Sequence, residues 1–288
     1  MRHGTGRHRH RATLIALALL GAGAGAAPAL AAESFRDCDQ CPEMVVVPAG
    51  EFTMGARADD DSREDDERPA RTVSFAKPFA IGRFEITFDE WDACVAGGGC
   101  EKGPDEGWGR GRRPVIHVDF KQAMAYVAWL SRKTGKTYAL PSESQWEYAA
   151  RAGGTAETPW GRTKDQACRV ANVYDATAKA KQPFDWPAFP CEDGFTETAP
   201  VGSFAPNAFG LHDTLGNVWE WIADCYRPTF AGAPTDGSAV EADTCMKRMS
   251  KGGSWNIFPA WVRPGYRYGL EGNLRSSNLG LRVVREMP

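Results

Sequence analysis

Eight cysteines, a Gly252-Gly253-Ser254-Trp255 segment and a group of tryptophans are the residues of this 288-residue chain with the most chemistry to offer. Cys38-Asp-Gln-Cys41 has the spacing at which two thiols exchange disulfides, provided a strand-then-helix setting stabilises the first thiolate. That setting is missing around Cys38, so a plain disulfide is expected. With Cys94, Cys100, Cys168, Cys191, Cys225 and Cys245 the set is even, which in an exported chain reads as a disulfide framework. Eight cysteines allow about 105 pairings, and neighbour pairing is the expectation: Cys38 with Cys41, Cys94 with Cys100, Cys168 with Cys191, and Cys225 with Cys245. The last two would close loops of about twenty residues, each contributing on the order of 3 kcal/mol through chain entropy. Ser254 lacks the signature of an adjacent base and is not expected to be a nucleophile. Trp219, Trp221, Trp255 and Trp261 either fill a core or line a cleft, and spacing alone does not choose.

The composition narrows the chemistry further. Arg2, Arg7, Arg9 and Arg11 precede an apolar run from Ala12 to about Ala27 and then Ala29-Leu30-Ala31, the layout of a secretory signal peptide. Residues 1–32 are therefore expected to be removed on export, to a periplasm or beyond, and no later segment could cross a bilayer. Removal takes four arginines and no acids, so the formal charge moves from −3 to −3 − 4 = −7. Such an acidic product gives no electrostatic reason to bind nucleic acid. Only His117 and His212 remain, too few for a metal site built on several histidines. Glycine and proline together make 31 + 19 = 50 residues, favouring a loop-rich fold of short elements.

Three helices must position these groups. Thr87 caps a helix running to Ala96 and stopped by Gly97-Gly98-Gly99. Asp119 caps a second, striped by Phe120, Met124, Val127 and Leu130 and ended at Gly135. Ser142 and Gln145 form a capping box for a third, ended by Gly153-Gly154. Strands are expected at Met44–Val47, Phe52–Met54, Arg71–Phe75, Phe79–Thr87 and near Leu281–Arg285, with irregular structure between the third helix and the last strand. Residues 58–68, with Asp59, Asp60, Asp61, Glu64, Asp65, Asp66 and Glu67, read as a solvated surface loop, lacking the ordered spacing of a calcium-loop motif.

Read in order, Cys41-Pro-Glu-Met44, Gly50-Glu-Phe-Thr-Met-Gly55, Phe84-Glu-Ile-Thr87, the run Leu140 to Gly153, Gly210 to Trp221, Lys251 to Trp255 and Asn278 to Val284 resemble the formylglycine-generating enzyme, or sulfatase-modifying factor, family. The resemblance implies one α+β domain over 33–288, irregular and related to C-type lectins. The family's enzymes oxidise a substrate cysteine with oxygen and copper(I) held by two cysteines, soft ligands for a soft ion. Aligned on Gly252-Gly253-Ser254-Trp255, those positions fall at Ile257 and Val262, so neither copper nor formylglycine-generating activity is expected. The family's calcium loops map onto Asn172 and Asp193 with the carbonyls of Val173 and Phe195, and onto Asp213 and Glu220 with the carbonyls of Gly216 and Val218. Calcium takes hard oxygen ligands of this kind; Asx turns without metal are the alternative.

The expected function is binding of a peptide, protein or glycan, as a monomer, in a cleft around Trp219, Ser254, Trp255, Trp261 and Arg263. The alternative is oxidative tailoring of a peptide, an oxidoreductase role similar to that of periplasmic pyoverdine-maturation proteins. The related non-haem iron sulfoxide synthases need histidines that this chain lacks.

Overall fold

Helix starts follow from reciprocal capping, in which a side-chain oxygen and a side-chain carboxyl or amide satisfy N–H groups that the first turn leaves unpaired. In a computed structural model, which describes residues 1–4, 33–56 and 63–287, three helices begin this way. Helix α1 (Phe88–Ala96) starts at Thr87 with Glu90, α2 (Phe120–Thr134) at Asp119 with Gln122, and α3 (Glu143–Arg151) at Ser142 with Gln145. A short α4 (Ala176–Lys181) is capped by Asp175. Residues 5–32 of the expected leader and Asp59, Asp60 and Asp61 lie outside the described residues.

The strands are β1 (Ser34–Phe35), β2 (Met44–Val47), β3 (Gly50–Met54), β4 (Arg71–Phe75), β5 (Phe79–Gly82), β6 (Tyr138–Ala139), β7 (Trp219–Cys225), β8 (Arg248–Lys251), β9 (Tyr268–Leu270), β10 (Leu279–Leu281) and β11 (Val284–Arg285). Among the described residues they form three sheets, ordered β1-β2-β5-β11-β6, β10-β7-β8-β9 and β3-β4. In α2, Ala123, Tyr126, Val127 and Leu130 turn inward, and Tyr126 stacks on Trp91 of α1 at 5.6 Å. Met124, expected on that stripe, is exposed instead. Residues 32–288 form one compact unit.

Two strand expectations are corrected. The fifth strand stops at Gly82 rather than Thr87 because Glu85 turns inward to accept the Val218 N–H at 3.1 Å and Thr87 becomes a helix cap. The last strand is two: β10 runs parallel to β7, while β11 enters the other sheet between β5 and β6. Arg282, between them, turns inside to Glu220 at 2.8 Å. The segment after α3 is also more regular than expected, since it holds α4, β7, β8 and β9. Six of the seven residues of β7 are buried, so it shows no polar-apolar alternation.

The eight cysteines form four bridges, Cys38–Cys41, Cys94–Cys100, Cys168–Cys191 and Cys225–Cys245. The acidic stretch departs from a solvated loop at its end: Asp65–Glu67 is a 3-10 turn, and Glu67 is fully buried in an ion pair with Arg263. No helix among the described residues is long and apolar enough to cross a membrane.

Candidate functional site

The loop from Cys168 to Cys191 and the residues just beyond it gather oxygen donors. Asn172 is buried; its Nδ2 donates to the Glu197 carbonyl at 2.9 Å and to Asn217 Oδ1 at 3.1 Å, while its Oδ1 has no hydrogen-bond partner. Asp193 accepts the N–H groups of Val173 at 2.9 Å and Phe195 at 2.8 Å. Burial pushes its carboxyl up to about 7 against those two donors, and the charge of Asp175 adds to the rise. Cys168 Sγ lies with the Asp175 and Asp193 oxygens within 4.8 Å, but its sulfur is bridged to Cys191 and offers no thiolate.

The second loop is built by backbone conformations that most residues avoid. Asp213 and Asn217 have φ of +54° and +50°, and Gly216 has +77°. A Cβ on Gly216 would lie 2.0 Å from the Asn172 carbonyl oxygen, so the two loops touch where only glycine fits. Asp213 Oδ2 accepts the Gly202 N–H at 2.7 Å, whereas its buried Oδ1 has no partner. Glu220 accepts Arg282 Nη2 at 2.8 Å and the Trp146 indole N–H at 2.7 Å. Glu85, absent from the sequence expectation, completes the group; burial first, then the charges of Asp213 and Glu220, hold its carboxyl well above the usual range.

Both sets are hard oxygen donors, and each contains one buried oxygen with no partner, Asn172 Oδ1 in the first and Asp213 Oδ1 in the second. Buried polar atoms are rarely left unpaired. The donor chemistry and the two orphaned oxygens fit calcium.

The expected cleft residues come together, but mostly inside the protein. Trp219, Ser254, Trp255 and Arg263 are buried, and Trp261 is partly exposed. Trp261 stacks on Tyr266 at 5.2 Å, and Trp219 packs on Tyr268 at 5.1 Å. Ser254 Oγ donates to Asn256 Oδ1 at 3.0 Å and accepts from Asn278 Nδ2 at 3.1 Å, without a base beside it. Arg263, expected to meet a ligand, is held bidentately by Glu67. Of the five, Arg263 borders an open cavity, and the other four do not line it. This cavity of about 280 Å³ is bordered by Val262 and Arg263 together with Trp160, Arg162, Lys164 and Phe189. Val262 is buried and Ile257 half-buried, and both pack in the cluster that contains Trp146 and Phe189.

The ionic layer around Lys251 was not legible in the sequence. Lys251 is fully buried, 3.5 Å from Glu143 and 3.3 Å from Glu147, and Arg267 donates to Glu143 at 2.8 Å. Each partner is far away in sequence; Glu143 and Glu147, one turn apart on α3, look like an exposed face until the opposing strand is known.

Residues 30–287 match the sulfatase-modifying factor enzyme 1-like domain family. The chain is 30% identical to the formylglycine-generating enzyme of Thermomonospora curvata, over 74% of this chain and 82% of that one. It is 33% identical to the inactive C-alpha-formylglycine-generating enzyme 2 of Bos taurus, over 85% and 88%. Among solved structures it resembles PvdO from Pseudomonas aeruginosa, with a TM-score of 0.78 and 40% identity over 89% of this chain and 98% of that chain.

Proposed function

The chain belongs to the sulfatase-modifying factor enzyme 1-like family, and from that premise we propose that it is an exported member that binds a peptide or glycan and does not generate formylglycine. One observation carries the reading: the scaffold is kept, yet the copper positions hold Ile257 and Val262, and every cysteine is committed to a disulfide. Two aliphatic side chains cannot ligate copper(I), and no thiolate is left nearby to replace them. The four bridges also support an oxidising destination.

The ligand is placed in the cavity beside Val262. Trp160 supplies a face for a sugar ring or an apolar side chain, and the exposed Arg162 and Lys164 supply charge for a carboxylate or another anionic group. Calcium is proposed in both oxygen-rich loops, held by Asn172 and Asp193 with the Val173 and Phe195 carbonyls, and by Asp213 and Glu220 with the Gly216 and Val218 carbonyls. Bound there it would cross-link loop segments that have little regular structure of their own.

The test presents the processed protein with cysteine-containing peptides and with cell-wall glycan fragments. Mass spectrometry follows the peptide for aldehyde, an electrode follows oxygen, and thermal shift follows binding. Saturable binding with unaltered peptide supports the proposal. Aldehyde at the cysteine would overturn it, and oxygen uptake dependent on one peptide would move the protein to oxidative tailoring.

A further inference from the structure

We propose that the two oxygen-rich loops hold their divalent cations as one coupled centre, with Asn217 as the link between them and Glu85 as a charge of the second half. The inference rests on the calcium reading above and adds two residues and a coupling to it.

Asn217 has no solvent exposure, and its side chain is shared between the loops. Its Oδ1 accepts from Asn172 Nδ2 at 3.1 Å, and its Nδ2 donates to Glu85 Oε2 at 2.6 Å. Its backbone N–H donates to the Asn172 carbonyl at 2.8 Å, and its own carbonyl accepts from Trp255 at 2.9 Å. The Nδ2 bonds turn the orphaned Asn172 Oδ1 into the one atom of that amide still available to an ion. Because Gly216 touches the Asn172 backbone with no room for a Cβ, a shift of Asn172 cannot be absorbed locally. It passes to Gly216 and Val218, whose carbonyls are donors of the second loop.

The charge count points the same way. Glu85, Asp213 and Glu220 are buried with a single guanidinium, Arg282. Arg282 gives Nε and Nη2 to Glu220 and makes its other bonds to the carbonyls of Gly82, His212 and Asp213. Glu85 and Asp213 receive N–H dipoles from Val218, Asn217 and Gly202, and Asp213 Oδ1 receives none. With all three ionised, the carboxylates outnumber the guanidinium by two, the complement of one divalent cation. The first loop repeats the deficit, with Asp175 and Asp193 accepting only backbone N–H groups from Ala178, Asp193, Val173 and Phe195. Burying uncompensated carboxylates is costly, so each loop is ordered most firmly with its ion in place. Two such loops joined through one amide share that ordering, which makes occupancy of one favour occupancy of the other.

Native mass spectrometry of the processed, metal-stripped protein titrated with calcium chloride tests this without any substitution. At half saturation the expected species carry zero and two ions; a predominant one-ion species would overturn the coupling. Glu85→Gln, which keeps the shape, is expected to weaken calcium binding about ten-fold, a typical coupling magnitude, and an unchanged affinity removes Glu85 from the centre. Asn217→Gly keeps the left-handed backbone accessible and is expected to make the one-ion species the main one; persistence of the two-ion pattern rules out Asn217 as the link. An unsubstituted protein that takes up no calcium at millimolar concentration would reject the calcium reading itself, an outcome distinct from two ions binding independently.

Discussion

Lys251 Nζ lies 3.3 Å from Glu147 Oε2, and neither side chain has any solvent exposure. Lys251 ends β8 and leads into the Gly252-Gly253-Ser254-Trp255 segment, so the pair fastens that segment to α3. Burial raises the carboxyl of Glu147, but the charges of Arg151 and Lys251 outweigh it and hold it below the usual carboxylate range. Lys251→Met leaves Glu143 and Glu147 one cation short and is expected to cost about 3–5 kcal/mol in urea unfolding. Adding Glu147→Gln should recover part of the loss. A cost below about 1 kcal/mol, the range of exposed pairs, would show that Arg151 and Arg267 suffice.

Asp224 gives the stability a pH dependence. Its carboxylate accepts the N–H groups of Glu143 and Val240 at 2.8 Å each, yet burial, and then the charge of Glu143, push it up to about 7. Its unfolded value is about 3.9. The folded form therefore holds the proton more tightly, and this contribution is full below the unfolded value and is lost as pH rises through about 7. Melting curves at fixed calcium should fall between about pH 4 and pH 7, the span from the unfolded to the folded value, and Asp224→Asn should flatten the slope. An identical slope in the variant would assign the dependence to other groups.

Chelation is expected to lower the melting temperature of protein shown to contain calcium, because ions that bind only the folded state stabilise it by mass action. Asp193→Asn should lower it without chelator. A melting temperature indifferent to both treatments would leave the two loops as metal-free turns.

The Cys225–Cys245 bridge spans 20 residues and ties the buried end of β7 to an exposed loop. Replacing both cysteines by serine is expected to cost about 2–4 kcal/mol, read by unfolding under non-reducing conditions. Because neither cysteine lines the cavity beside Val262, ligand binding should survive. Loss of binding in a folded variant would tie this bridge to the cavity.

Trp160→Ala should weaken ligand binding at least ten-fold if the ring stacks on the ligand, a loss of about 1.4 kcal/mol. The variant should melt near the parent temperature, since Trp160 is only partly buried. Equal affinity would place the ligand elsewhere.

What was legible in the sequence is what is local. Thr87, Asp119 and Ser142 identified three helix starts because a cap and its partner stand three residues apart. Neighbouring cysteines paired for a similar reason. The strand β7 was hidden because both its faces are buried, so Trp219 read as a site residue without a strand to hold it. Arg263 looked available for a ligand because its partner, Glu67, stands on the far side of the sequence within an acidic run that otherwise reads as surface. Glu85 was missed for the same reason: its partners, Asn217 and Val218, lie in another motif.

The crossing of residues 279–285 from one sheet to the other has a consequence for how the protein is made. Leu279–Leu281 completes the sheet of β7, and Val284–Arg285 fills the gap between β5 and β6. Neither sheet can close until this segment, late in the chain, has left the ribosome, and its contacts with β5 span most of the sequence, the kind of pairing that folds slowly. A nascent chain in that condition stays open until synthesis is almost complete, and the export proposed above would act on such a chain.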